Sequence, residues 1–204
     1  MKASRNRGFF FALLEYIWHW RMKSRTLLDK EQIKLILDRL CFQIIEEFDS
    51  PDELCFLGLQ PRGVLLSGRL QERLKALSPE EEYRFGELDI TFHRDDFRRR
   101  ETPLTPQSTR IPFNIENKTV ILVDDVLYTG RTIRAGMDAL MDFGRPKSVQ
   151  LLVLVDRRFK RQLPIEANYA GKRIDSIDAE KVRVEWLEQE GEDKVVLYNT
   201  EENG

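Results

Sequence analysis

The sequence predicts an α/β protein in which a central parallel sheet is flanked by helices. Short apolar runs alternate with amphipathic stretches, the turns between them are brief, and the most apolar run, 119–123, has no polar alternation. Continuous apolarity is typical of a parallel strand covered on both faces, and strand–helix alternation favours a single parallel sheet. With 204 residues, 41% hydrophobic and 33% charged, the chain suits one domain, and its net charge of −2 gives no global sign of nucleic-acid binding.

The elements are predicted from periodicity and from turn residues along the chain. Asp29 can cap a first helix, since apolar residues then recur at helical spacing to about Phe48, where Ser50 and Pro51 end the pattern. An irregular stretch, 94–116, carries three prolines, and its length is typical of a functional segment. The predicted helices are 30–48, 64–77 and one that begins at Arg131 or Thr132; the predicted strands are 54–59, 84–93, 119–123, 149–155, 181–187 and 194–198.

The most informative segment is 120–132. Asp124 and Asp125 follow the apolar strand at its carboxyl end, where parallel sheets bind ligands. Thr129 and Thr132 surround Gly130 at the start of a helix, whose free amides attract anions. An acidic pair beside a phosphate cradle predicts a ligand with sugar hydroxyls at one end and a phosphate at the other. The alternative is that the aspartates only cap a helix, which does not need two carboxylates and two threonines.

This segment resembles the phosphoribosyl pyrophosphate motif of type I phosphoribosyltransferases. Continued to Leu140, it is similar to the PyrR family, the pyrimidine operon attenuators that are also uracil phosphoribosyltransferases. Segments 86–91, 94–96, 144–146, 154–157 and 163–165 agree, so the resemblance runs from about Leu27 to Asn199. It implies the type I phosphoribosyltransferase fold, with a small hood formed mainly after Asp156. The implied motif is Val120, Ile121, Leu122, Val123, Asp124, Asp125, Val126, Leu127, Tyr128, Thr129, Gly130, Arg131 and Thr132.

The resemblance also implies the roles of the site residues. Asp124 and Asp125 would hold the ribose and favour positive charge on it, while Arg62 would stabilise the leaving diphosphate. Mg²⁺ on the pyrophosphate is the implied cofactor, with no direct protein ligand to the metal. The implied pyrophosphate loop is Gln60, Pro61, Arg62 and Gly63, joined by Arg94, and many relatives have Lys-Thr or Arg-Thr in place of Gln60–Pro61. The implied base-binding residues are Val155, Asp156 and Arg157.

The implied reaction joins uracil to phosphoribosyl pyrophosphate, giving uridine monophosphate and pyrophosphate. The resemblance also implies regulation of pyrimidine genes through an mRNA leader, with uridine nucleotides sensed in the same pocket. Two alternatives stay open: an RNA-binding attenuator with little enzyme activity, and a phosphoribosyltransferase for another base. A basic patch for RNA is predicted at Lys34, Arg39, Lys160 and Arg161, although Asp38 adds a repelling charge near it.

The remaining expectations concern the N-terminus, the cysteines and assembly. Residues 1–21 are basic and aromatic but too short for a membrane span, and we expect an upstream extension or a tail before a domain at 22–204. Cys41 and Cys55 lie in apolar contexts without metal-ligand spacing, which favours packing roles and a cytoplasmic location. Leu35 and Phe42 suggest the interface of a homo-oligomer, a dimer or higher.

Overall fold

The computed structural model describes residues 24–96, 106–175 and 180–199, so the predicted extension at 1–21 lies outside the described residues. The described residues divide into two compact units, one within 31–175 and one formed by 24–30 with 180–199. In chain order the elements are β1 (Ser24–Leu28), α1 (Lys30–Glu47), β2 (Leu54–Leu59), α2 (Gly63–Leu77), β3 (Arg84–Leu88), β4 (Thr119–Leu127), α3 (Arg131–Leu140), β5 (Ser148–Arg158), β6 (Tyr169–Asp175), β7 (Glu180–Glu185), α4 (Leu187–Glu190) and β8 (Lys194–Asn199).

The larger unit contains a five-stranded parallel sheet in the order β3-β2-β4-β5-β6. Successive strand residues point to opposite faces, and this alternation places helices on both sides. Leu59 of β2 packs beneath α3, because a Cβ on Gly136 would lie 3.0 Å from its Cδ2 atom. Its neighbour Gly58 faces α2, where a Cβ would lie 2.9 Å from the Cα of Val64. The predicted parallel α/β sheet with flanking helices is therefore confirmed.

The start of α2 lies very close to β4. A Cβ on Gly63 would be 2.2 Å from the carbonyl oxygen of Val123, a separation that no side chain can occupy. Glycine therefore brings the loop 60–63 against the end of the strand that carries the two predicted aspartates. This packing sets the distance between the loop and the acidic pair.

Three predicted strand limits were wrong. The strand predicted for 84–93 ends at Leu88 and is followed by a 3₁₀ turn, Thr91–His93. Asp89 ends it, because its Oδ1 atom accepts hydrogen bonds from the backbone amide and the hydroxyl of Thr91. In contrast, β4 continues to Leu127 because it pairs with β5 as far as Asp156, and β5 continues to Arg158 because it pairs with β6 as far as Asp175. Asp124 and Asp125 thus lie inside a strand and not in the loop after it.

The smaller unit is an antiparallel sheet in the order β1-β8-β7. Its interior includes Val184, Trp186 and Val195, all fully buried. Strands β7 and β8 were predicted, and this unit matches the small second body that the resemblance implies. Strand β1 was not predicted, because its five residues contain only two apolar side chains, the adjacent Leu27 and Leu28. Strand β6 of the larger sheet was not predicted either, because glycine and charged residues interrupt its apolar ones.

Candidate active site

A buried pair of carboxylates lies near the carboxyl end of β4. Asp124 is 7% exposed and Asp125 is 8% exposed. The backbone amide of Asp125 donates a hydrogen bond of 2.9 Å to Oδ1 of Asp124. The guanidinium of Arg62, from the loop before α2, lies 3.0 Å from Oδ2 of Asp125. The structure therefore brings together the three residues predicted to carry catalysis.

Burial decides the electrostatics of this pair. It raises the pKa of Asp124 well above the ordinary value, and the neighbouring Asp125 charge raises it further. Burial also raises the pKa of Asp125, although the hydrogen bond and charge of Arg62 oppose that rise. Two adjacent carboxylates, of which only Asp125 is in contact with the Arg62 guanidinium, repel each other and favour an incoming positive charge or hydrogen-bond donor. A ribose that develops positive charge offers both.

The acidic pair faces a cavity of about 430 Å³. It brings together the predicted residues Gln60, Pro61, Arg62, Arg94, Asp124, Asp125, Val126 and Thr132. Asp89, Ile90, Thr91 and Gln107 also line it, and these were not predicted. A signal for Asp89 was present in the sequence, since it follows β3 at the same edge of the sheet as the acidic pair.

The turn after β4, residues 128–132, is the segment predicted to form a phosphate cradle and is called the phosphate turn below. Gly130 has a φ of 90°, in the left-handed region that favours glycine, and it precedes the first residue of α3. The hydroxyl of Thr129 accepts a 3.4 Å hydrogen bond from the amide of Arg131. The helix begins at Arg131 as predicted, so its first amides lie at this turn. Threonine hydroxyls and the free backbone amides at a helix start are groups that donate hydrogen bonds to a phosphate.

The side chain of Arg131 is held on two sides. Its guanidinium pairs with the carboxylate of Asp95 and donates a 2.7 Å hydrogen bond to the side-chain oxygen of Gln162. This arginine is about half exposed, so the pair with Asp95 exchanges readily with solvent ions. The arrangement places a cation at the phosphate turn.

The pyrophosphate loop begins with a cis peptide bond between Gln60 and Pro61. The amide nitrogen of the Gln60 side chain donates to Oε2 of Glu87 at 3.0 Å and to the carbonyl of Ser108 at 3.1 Å. Gln60 therefore ties the loop to the side chain of Glu87 and to the backbone of Ser108. In this chain Arg62 is the cation that the loop brings to the acidic pair.

Arg94 lies at the cavity wall, as expected from the sequence. It makes two hydrogen bonds, of 2.8 and 2.9 Å, to the carboxylate of Asp96. That hydrogen bonding raises the pKa of Arg94, and the charge of Asp124 also contributes. The guanidinium is thus fully charged beside the cavity.

The predicted base segment lies at the end of β5. Val155, Asp156 and Arg157 are all buried. The carboxylate of Asp156 is 2.5 Å from the guanidinium of Arg161 and 3.8 Å from that of Arg173. The guanidinium of Arg157 stacks 4.1 Å from the ring centre of Tyr128, which belongs to the phosphate turn. Base segment and phosphate turn are therefore in direct contact.

The residues predicted for RNA binding are not equally placed. Lys34 is exposed on α1. Arg39 donates to the carbonyls of Ala170 and Gly171, at 3.2 and 2.6 Å. Arg161 is engaged with Asp156 and with the carbonyl of Tyr128. Lys160 is half-buried. Lys34 and Arg39 are therefore exposed, whereas Lys160 and Arg161 are partly buried, and the basic patch stays a prediction.

Comparison with known proteins agrees with this geometry. The family model described as phosphoribosyl transferase domain matches residues 23–189. A solved hypoxanthine phosphoribosyltransferase of Staphylococcus aureus superposes with a TM-score of 0.63 at 22% identity, covering 87% of this chain and 93% of that one. One of Trypanosoma cruzi gives a TM-score of 0.65 at 17% identity, covering 87% and 92%. These two structures show the fold alone, and with the family match they make the chain a phosphoribosyltransferase, an enzyme of the glycosyltransferase class.

More similar relatives define the group within that class. The protein named bifunctional protein PyrR of Enterococcus faecalis is 45% identical over 176 residues, which cover 86% of this chain and 97% of that protein. Its namesake in Pelotomaculum thermopropionicum is 44% identical over 180 residues, covering 88% and 98%. The chain belongs to the PyrR family.

Proposed function

We propose that this protein transfers the ribosyl phosphate of phosphoribosyl pyrophosphate to uracil, giving uridine monophosphate and pyrophosphate. One observation carries the proposal: the buried acidic pair lies between a cationic loop and a helix-start turn with the features of a phosphate cradle. A sugar phosphate fits this order of groups, since hydroxyls meet carboxylates and the phosphate meets amides.

The roles of the residues follow from charge. Cleavage at the anomeric carbon leaves positive charge on the ribose, which Asp124 and Asp125 stabilise because they are buried and hold fixed positions. Arg62 and Arg94 take the negative charge that builds up on the leaving diphosphate. Thr129 to Thr132 anchor the 5′-phosphate, so that the reacting atoms are held in place. No general base is assigned.

The residues fit a magnesium ion that arrives with its substrate. Among the described residues, no three His, Cys, Asp or Glu side chains come together in a group that could hold a metal ion. Mg²⁺ commonly keeps several waters and takes its other ligands from substrate phosphates and one or two carboxylates. When bound, it would neutralise charge on the diphosphate, and the carboxylates of Asp89, Asp124 and Asp125, which line the cavity, would hold its waters.

Regulation through RNA is the second proposed function, supported by membership in a family whose members are named bifunctional. The exposed Lys34 on α1 gives one cation for an RNA backbone.

Leu35 is 68% exposed and Phe42 is 49% exposed on the same helix, and we propose that they form an interface between copies of this chain. A domain at 22–204 also stays a prediction, as does a cytoplasmic location, which the two buried free thiols support. None of the described helices is long and apolar enough to cross a membrane.

The first experiment mixes the protein with Mg²⁺, phosphoribosyl pyrophosphate and labelled uracil, and measures uridine monophosphate. Hypoxanthine, guanine and orotate serve as competing bases in parallel reactions. Formation of uridine monophosphate alone supports the proposal, whereas turnover of another base in its place overturns the specificity. Binding to a pyrimidine operon leader transcript, measured across salt concentrations with an unrelated RNA as control, tests the regulatory function.

A further inference from the structure

The segment after β5 lies directly against the phosphate turn. The backbone amides of Gln162 and Leu163 both donate to the carbonyl of Thr129, at 3.0 and 3.3 Å. The space beside Gly130 is also filled, because a Cβ there would lie 3.2 Å from Cδ1 of Ile165. One face of the turn is therefore covered by the chain that follows the predicted base segment.

Arg161 makes the connection between the two parts. One guanidinium nitrogen lies 2.5 Å from Oδ1 of Asp156 at the end of β5, and another donates at 2.5 Å to the carbonyl of Tyr128 at the end of β4. The Asp156 side chain is 5% exposed and that of Arg161 is 22% exposed, so water screens this contact weakly. Charge-assisted hydrogen bonds of this kind are among the strongest that a protein makes.

An arginine is needed for this contact. Its planar group places donors in fixed directions, so one side chain reaches a carboxylate and a carbonyl together. A lysine would keep the charge near Asp156 but has a single nitrogen to share between the two oxygens. A second cation, Arg173, lies 3.8 Å from the other oxygen of Asp156. The hydrogen bonds of Arg161 thus join the two strand ends, in addition to the backbone pairing of β4 with β5 and the stacking of Arg157 on Tyr128.

We infer that Arg161 is a positioning residue, which fixes the separation between the base segment and the phosphate turn. The inference rests on the proposed function, because it presumes that a nucleotide spans these two places. A nucleotide binds well only when both are correctly spaced, whereas a sugar phosphate meets the turn and the acidic pair and makes no use of the base segment. Loss of Arg161 should therefore weaken binding of uridine monophosphate more than binding of ribose 5-phosphate.

The chain offers a matched control in the same segment. Arg158 makes a two-pronged pair with Asp175, at 2.8 and 2.9 Å, and both side chains are about half exposed. Arg158→Gln removes an arginine–aspartate pair and one positive charge, as Arg161→Gln does. It leaves the carbonyl of Tyr128 untouched. Arg161→Lys adds a second variant, which retains the charge and removes the fork.

The experiment measures binding of uridine monophosphate and of ribose 5-phosphate by calorimetry, with kcat and KM for uracil and the thermal midpoint, for wild type and the three variants. We expect Arg161→Gln and Arg161→Lys to lower the affinity for uridine monophosphate and kcat/KM roughly tenfold or more, with a smaller change for ribose 5-phosphate. Arg158→Gln should match wild type. Equal losses for both ligands would mean a general structural role and overturn the inference.

Three further results of this experiment can be told apart. If wild type converts no uracil, the proposed function fails, and the inference is judged by the ratio of the two affinities alone. If the Arg161 variants keep wild-type affinities and rates but lose binding to leader RNA, Arg161 is a nucleic-acid contact and the positioning role is wrong. If Arg161→Gln does not fold, Arg161→Lys decides by the same ratio.

Discussion

Two buried aspartate sites lie at the ends of neighbouring strands, and the charges around them differ. At the end of β4, Asp124 and Asp125 share one close arginine, Arg62. At the end of β5, Asp156 stands alone between two arginines, Arg161 and Arg173. The first site has an excess of negative charge and the second an excess of positive charge, although their burial is nearly equal.

The difference separates a site prepared for a ligand from a site that holds structure. Asp156 is paired with Arg161 and hydrogen-bonded to it in a buried position, so it can act as an anchor for that arginine. An under-compensated pair has a raised pKa and stores unfavourable energy that a cationic or hydroxyl-bearing ligand relieves. The β4 site should therefore respond to substitution through activity, and the β5 site through geometry.

The largest effect is expected at the acidic pair. Asp124→Asn together with Asp125→Asn should lower kcat/KM by at least about 10³-fold, because the charge that stabilises the ribose is removed. The thermal midpoint of the unliganded protein should stay equal or rise, since a buried repulsion disappears. Steady-state kinetics and thermal unfolding check both statements. Retained turnover, or unfolding of the variant, would contradict the assignment.

Arg62 should show the next largest effect. Arg62→Ala should lower kcat/KM about 10²-fold, as the leaving diphosphate loses its cation. The variant should also move the acidic limb of the pH–rate profile to higher pH, because Arg62 is what lowers the pKa of Asp125 against the effect of burial. Arg73→Ala, which breaks a 2.5 Å pair with Asp38, is the control. If the acidic limb did not move, the idea that Arg62 lowers the pKa of Asp125 would be wrong.

A substitution in the phosphate turn should have a smaller effect on ligand binding, limited to the phosphate end of the ligand. Gly130→Ala should cost about 1 kcal/mol in the free energy of unfolding, since φ is 90° there, and should weaken phosphate binding as well. Gly191→Ala is matched, because Gly191 has a φ of 82° with open space around it. Urea unfolding should show similar losses for both variants. Calorimetry with ribose 5-phosphate should show a loss for Gly130→Ala only.

The smallest effect is the pH dependence of stability. The folded-state pKa of Asp124 lies above its unfolded value of about 3.9, so its contribution to stability is complete below that pH and is lost as the pH rises through the raised pKa. The free energy of unfolding of wild type should thus fall, relative to Asp124→Asn, as the pH increases over this window. Urea titrations at several pH values measure the difference.

An exposed carboxylate provides the opposite sign as a control. The hydrogen bond from Arg84 lowers the pKa of Asp52, so its contribution is present above the unfolded pKa and is lost as the pH falls. The difference between wild type and Asp52→Asn should accordingly decrease on acidification. If both differences had the same sign, burial would not be the cause of the raised pKa of Asp124.

Much of the architecture could be predicted because it depends on local patterns. The apolar run into Asp124 and Asp125, and the glycine before α3, are consecutive in sequence, so strand, acidic pair and helix start follow from one stretch. The end of β3 could not be predicted in this way. It depends on the side chain of Asp89, whose other carboxylate oxygen accepts from the amide of Gln107, 18 residues away.

The class of fold, the acidic pair and the turn before α3 follow from periodicity and from residues that are adjacent in the sequence. How these groups are joined depends on contacts between residues far apart in the sequence. Strand β4 lies beside β5, and this neighbourhood brings Tyr128 within reach of Arg161, 33 residues later. From the sequence alone, Arg161 is predicted to be a solvent-exposed basic residue, because it lies near a turn. In the structure, the charge of Arg161 is paired with the buried carboxylate of Asp156. This pairing depends on the order of the strands in the sheet.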